Sequence, residues 1–135
     1  MKLYFKIEKL PSGSEQYRLA TDIEGSLKLV TKHGKILFDA EGILLIELAV
    51  FCRRWLEQKE KDSFYYASMD FEEEPILAFN IESAEYCSFS SVWENFSKEN
   101  IPICEVKGSM NDYLQRLKDN LKERFQINVE GYEGL

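Results

Sequence analysis

The amino terminus alternates. From Lys2 to Leu10, Leu3, Phe5 and Ile7 fall on one side of an extended backbone and Lys2, Tyr4, Lys6 and Glu8 on the other, the period of a half-buried strand. Pro11, Ser12 and Gly13 end it. Leu27–Thr31 and Lys35–Asp39 flank Lys32-His33-Gly34, which predicts a hairpin with Gly34 at positive φ. The period then changes. From Glu41 to Lys59 the run ILLIELAVFCRRWLEQK has no Gly or Pro and is apolar almost all round for three turns, predicting a central, largely buried helix over about 42–59. Arg53, Arg54 and Lys59 complement the dipole at its carboxyl end. Glu47, apolar on all sides in this run, must reach solvent through a gap or find a buried donor.

Strand patterns return at Phe64–Asp70 and Ile76–Ile81, separated by Phe71 to Pro75, a second hairpin with an acidic tip. Tyr86–Val92 alternates as a third strand of this group. Ile101–Val106 reads as a further short one, confined by Pro102 to an edge or to the strand's first residues. Ser109 with Asp112 three residues on resembles a capping box, and Met110, Tyr113, Leu114, Leu117, Leu121 and Phe125 follow at helical spacing. A second helix is predicted over about 109–126, its polar side net basic through Arg116, Lys118, Lys122 and Arg124 against Glu123. The tail after about residue 128, with Gly131 and Gly134, is expected to fray. The sum is one α+β domain over 1–135: an antiparallel sheet of five to seven strands covered by two main helices.

A length of 135 residues with 44% hydrophobic content suits one core, and 30% charged residues with 7 Gly and 3 Pro argue against disorder. The apolar runs are too short to span a bilayer, and the alternating amino terminus lacks the continuous apolar stretch of an export signal. Cys52, Cys87 and Cys104 are odd in number and lack CxxC spacing, which predicts reduced thiols and a cytoplasmic protein.

Charge sharpens the picture. Between Asp62 and Glu105, ten carboxylates face a single basic residue, Lys98, a net charge of −9 within a chain whose total is −7. Half of the chain's aromatics lie in the same segment. Nucleic acid is disfavoured as a direct ligand, because phosphate contacts need a basic stripe. No glycine-rich phosphate loop is present, so no nucleotide and no cofactor is expected.

The tip Asp70-Phe71-Glu72-Glu73-Glu74 is the densest cluster of charge. It lacks the spacing and the glycine of a calcium loop, and a solvated tip does not raise a carboxylate's pKa for acid–base work. An ordinary solvated turn carries half the weight, and a patch that binds a partner carries most of the rest. His33, the single histidine, has no second ligand at zinc spacing and reads as an exposed turn residue. Among Tyr65, Tyr66, Phe71, Trp93 and Phe96, about half should face the core. Tyr66 and Trp93 are the preferred exposed anchors, and with Asp70, Phe71, Glu72, Glu73, Glu74 and Glu94 they form the candidate partner-binding set.

The stretches SFYYASMDFEEEPILAF (Ser63 to Phe79) and FSSVWENF (Phe89 to Phe96), after a hydrophobic helix ending RRWL (Arg53 to Leu56), resemble a group of small uncharacterised acidic proteins of Gram-positive bacteria. Those proteins are similar in size and acidity to the immunity proteins that neutralise polymorphic toxins. The resemblance covers the middle half of the chain and implies inhibitor-like binding, with no catalytic residue to carry over. The leading expectation is a non-catalytic cytosolic protein whose acidic aromatic face binds a basic protein partner. Below it rank a self-associating structural or regulatory subunit, such as a homodimer, and an enzyme using Glu47 or the Asp70 to Glu74 carboxylates.

Overall fold

A computed structural model describes residues 1–10, 19–59, 62–94, 97–132 and 134–135. The turn predicted at Pro11, Ser12 and Gly13, and Phe96, lie outside these residues. The fold is α+β, and the described chain uses one construction twice, an antiparallel meander that runs directly into a helix. Strands β1 (Lys2–Lys9), β2 (Glu24–Val30) and β3 (Ile36–Leu44) form a three-stranded sheet in that order, with the short helix α1 (Leu19–Asp22) before β2. Helix α2 (Leu45–Leu56) starts where β3 ends. Strands β4 (Phe64–Tyr66), β5 (Leu77–Ile81), β6 (Tyr86–Ser90) and β7 (Lys98–Pro102) form a four-stranded sheet, again in sequence order, and β7 leads into α3 (Ile103–Phe125).

The predicted single sheet is therefore two. The cause lies in α2, whose Leu45, Ile46, Leu48, Ala49, Cys52 and Trp55 are all buried. A helix apolar on so many sides needs cover from several directions, and it packs against β3 of the first sheet and β4 of the second, as well as α1 and α3. It is shorter than the predicted 42–59, because Ile43 and Leu44 remain in β3, paired with Gly25 and Glu24. At the first hairpin, Gly34 takes φ +86°, as the turn requires, and its N–H donates to the Thr31 carbonyl at 2.9 Å.

Helix α3 begins six residues before Ser109. The strand predicted over Ile101–Val106 ends at Pro102, which caps the helix with extended backbone, φ −61° and ψ 129°. Ile103, Val106 and Met110 then continue the buried face at helical spacing. Ser109 is an interior helical residue, and its hydroxyl donates back to the Val106 carbonyl at 2.8 Å. The serine that resembled a cap satisfies itself on the preceding turn, while burial of Ile103 and Val106 extends the helix.

Helix α3 ties the halves together. Tyr113 is fully buried and donates its hydroxyl to the Leu45 carbonyl at 2.7 Å, and its ring meets Phe5 edge-on at 5.6 Å. Arg116 pairs with Asp112 at 2.7 Å, donates to the Leu3 carbonyl and lies over the Phe5 ring. In the tail, Val129 is buried and Tyr132 and Leu135 rest on the core. Gly134 has no room for a side chain beside Val50.

Candidate functional site

The connection from β4 to β5 carries Asp70, Phe71, Glu72, Glu73 and Glu74, and its path is fixed from beneath. The Phe71 N–H donates to the Ser68 carbonyl at 3.3 Å and that of Asp70 to Ser68 Oγ at 3.2 Å, which closes a tight turn. Glu47 is half-buried on α2 and finds the donors that its position demands. Its Oε1 accepts from the Tyr66 hydroxyl at 2.7 Å and its Oε2 from the Met69 N–H at 3.2 Å. A carboxylate on the buried helix thus holds the loop where it leaves the sheet. Beyond the acidic run, Pro75 accepts from the Val92 N–H at 2.8 Å, which ties the loop to the β6–β7 connection.

Three rings complete the attachment. Phe71 meets Trp93 edge-on at 4.8 Å, and Trp93 stacks on Phe38 of β3 at 6.0 Å with planes 18° apart. The loop that carries Asp70, Glu72, Glu73 and Glu74 is thereby joined to the connection that carries Trp93 and Glu94. Three other carboxylates of the acidic segment lie elsewhere. Glu82 and Glu85 occupy the β5–β6 turn at the opposite end of β5, with Glu82 accepting from Ser88 at 2.9 Å. Glu105 lies on α3, 4.0 Å from Lys32. The block of charge in the sequence resolves into Asp70, Glu72, Glu73 and Glu74 on one loop, Glu94 on the connection that the Phe71–Trp93 contact joins to it, and Glu82, Glu85 and Glu105 on other elements.

Tyr66 does not belong to this surface. It is 0% exposed, its ring against Phe51 and its hydroxyl on Glu47. Alternation in β4 places Phe64 and Tyr66 inward and Tyr65 outward. With aromatics on both faces, the sequence did not show which face was buried. Tyr65 takes the outer position, 48% exposed, and donates to Glu74 Oε1 at 3.0 Å. Trp93 is half-buried and acts as a bridge between rings. The apolar members missed by sequence reasoning are Met69, 71% exposed, and Val92, 45% exposed. Both flank the candidate residues in sequence, and that adjacency was the available signal.

Buried acids in the interior stay protonated. Burial, then the hydrogen bond and charge of Glu47, push the Tyr66 phenol far up. Burial raises Tyr113 and Cys52 as well. Cys87 is pushed up to about 11 by burial, with Glu82 adding to it. Cys52, Cys87 and Cys104 are free thiols, the last of them exposed. Among the described residues, no group of three or more His, Cys, Asp or Glu side chains is placed to hold a metal ion, and no helix is long and apolar enough to cross a membrane.

A family described as a domain of unknown function, DUF7878, matches residues 3–123. The chain belongs to that family. Glu47, the acidic loop and Trp93 all lie within the DUF7878 match, whereas the packed tail from Gln126 onward lies beyond it. Among curated proteins and among solved structures, nothing matches the chain.

Proposed function

We propose that this DUF7878 protein is a non-catalytic cytoplasmic binding protein whose Asp70–Glu74 loop, with Tyr65, Met69, Val92 and Glu94, docks a basic protein in the manner of an immunity-type inhibitor. The observation that carries the reading is the Phe71–Trp93 contact, which joins the acidic loop, anchored from below by Glu47, to the connection that bears Glu94 and exposed Val92. A surface of this kind offers long-range attraction for a basic partner and apolar area for close contact. Anchoring matters too, since a held loop loses less freedom on binding than a loose one.

Capture from a lysate of the source organism tests the proposal when read against a charge-reversed variant. A specific basic protein should be retained at about 0.05 M salt and released near 1 M, where the screening length falls to about 3 Å. E72K/E73K should lose it with the fold intact by circular dichroism. Retention unaffected by both salt and the substitutions, or capture of nothing basic at low salt, would refute it. A dimer in light scattering that hides Tyr65 and Met69 would instead assign the surface to a second copy of the chain.

A further inference from the structure

Lys98 is the sole basic residue between Asp62 and Glu105, and His33 is the sole histidine of the chain. The fold brings the two together. A cleft of about 220 Å³ lies between the β2–β3 turn, which contributes Thr31, Lys32 and His33, and β7 with the start of α3, which contribute Lys98, Asn100 and Glu105. Buried Ile101 and half-buried Met1 and Pro102 supply apolar surface. In a chain of net charge −7, this cleft gathers two lysines, the histidine and an amide against one carboxylate, so its lining carries one net positive charge.

The backbone here is unusual as well. Asn100 has φ +56°, a left-handed conformation that L residues seldom adopt and that Asn tolerates better than most. It sits where the β6–β7 register shifts between Cys87 and Phe89, so that β7 bulges. Bulges re-aim side chains, and this one places Asn100 in the lining of the cleft.

We propose that this cleft binds a small phosphomonoester, its phosphate meeting Lys32, His33, Lys98 and the Asn100 amide and its organic part lying on Met1, Ile101 and Pro102. The donors come from two separate sheets. A tetrahedral dianion presents oxygens toward both, whereas a carboxylate presents two oxygens in one plane. The volume is below the usual range of about 300–1,000 Å³ for drug-sized ligands, which limits the organic part to a small group. Glu105 stands 4.0 Å from Lys32 Nζ and competes with the ligand for that charge. The site is independent of the acidic loop and of any protein that binds there.

The test uses the full chain and follows the His33 ring resonances at low salt during titration with phenyl phosphate, inorganic phosphate and benzoate. A saturable shift is expected, tightest for phenyl phosphate and weakest for benzoate. K98A should weaken binding about fivefold, the weight of one exposed charge pair, and E105Q should tighten it by a similar factor. K122A, on the opposite end of α3, should leave it unchanged. Absence of saturation, equal weakening by K122A, benzoate binding as well as phenyl phosphate, or no gain in E105Q would each overturn the proposal.

Discussion

Tyr66→Phe should cost about 2 kcal/mol, since a hydrogen bond to a charged acceptor contributes about 1.5–3 kcal/mol net. The substitution keeps the ring and its contact with Phe51 and removes only the hydroxyl donated to Glu47. Glu47→Ala goes further. It removes the same bond and the acceptor of the Met69 N–H, and it leaves a fully buried hydroxyl without its carboxylate, for a total of about 4 kcal/mol. In the double variant the hydroxyl no longer exists to be stranded, so the cost should be about 3 kcal/mol instead of the summed 6, a coupling of about 3 kcal/mol. Urea unfolding followed by far-ultraviolet circular dichroism at neutral pH measures all four proteins, and Tyr66→Phe should also lower Tm by about 6 °C. A coupling below about 0.5 kcal/mol would refute Glu47 as the anchor of the acidic loop. A gain in stability for Glu47→Gln would show instead a carboxylate held at a cost, as in a reactive site.

Alkaline conditions should destabilise the fold. Burial raises Tyr66, Tyr113, Cys52 and Cys87 in the native state, so the stability that their neutral forms confer is whole below their ordinary values of 9.0 to 10.0 and is lost as pH rises toward the native ones. The urea midpoint should be flat to about pH 8 and then fall, by up to about 1.4 kcal/mol per pH unit for each tyrosine, with a shallower fall in Tyr66→Phe; an unchanged midpoint at pH 11 would contradict this. Two glycines should respond oppositely to alanine. At Gly25 a Cβ would lie 2.0 Å from the Lys6 carbonyl oxygen, forcing β1 from β2 at a cost of about 3 kcal/mol, while at Gly108, exposed on α3 with nothing within 4 Å, alanine should stabilise by about 1 kcal/mol; the same urea curves decide both.

What the sequence revealed and what it concealed divide along the range of the interactions. The first strand, the Gly34 hairpin and the buried helix depend on local period and turn chemistry, and they stand where the pattern placed them to within a few residues. The need of Glu47 for a donor was legible from its apolar neighbours, but the donors, 19 and 22 residues away, were not. Two sheets in place of one follow from where α2 packs, a long-range outcome that alternation within strands does not encode. Ser109 misled because a hydroxyl that bonds backward and one that caps forward have the same sequence. Tyr66, expected on the surface, is buried, because a strand aromatic on both faces leaves its orientation to the partner sheet and helix.

The position of Trp93 has an optical consequence. Its indole lies between a ring of the first sheet and a ring of the acidic loop, so its emission and its near-ultraviolet dichroism depend on where the loop rests. Trp55, the second of the chain's two tryptophans, is buried with its N–H on the Asp62 carbonyl at 2.7 Å and supplies a steady background. A molecule seated on the carboxylates is therefore read by the native protein without a label, and a loop lifted from Phe71's resting place declares itself as a red shift.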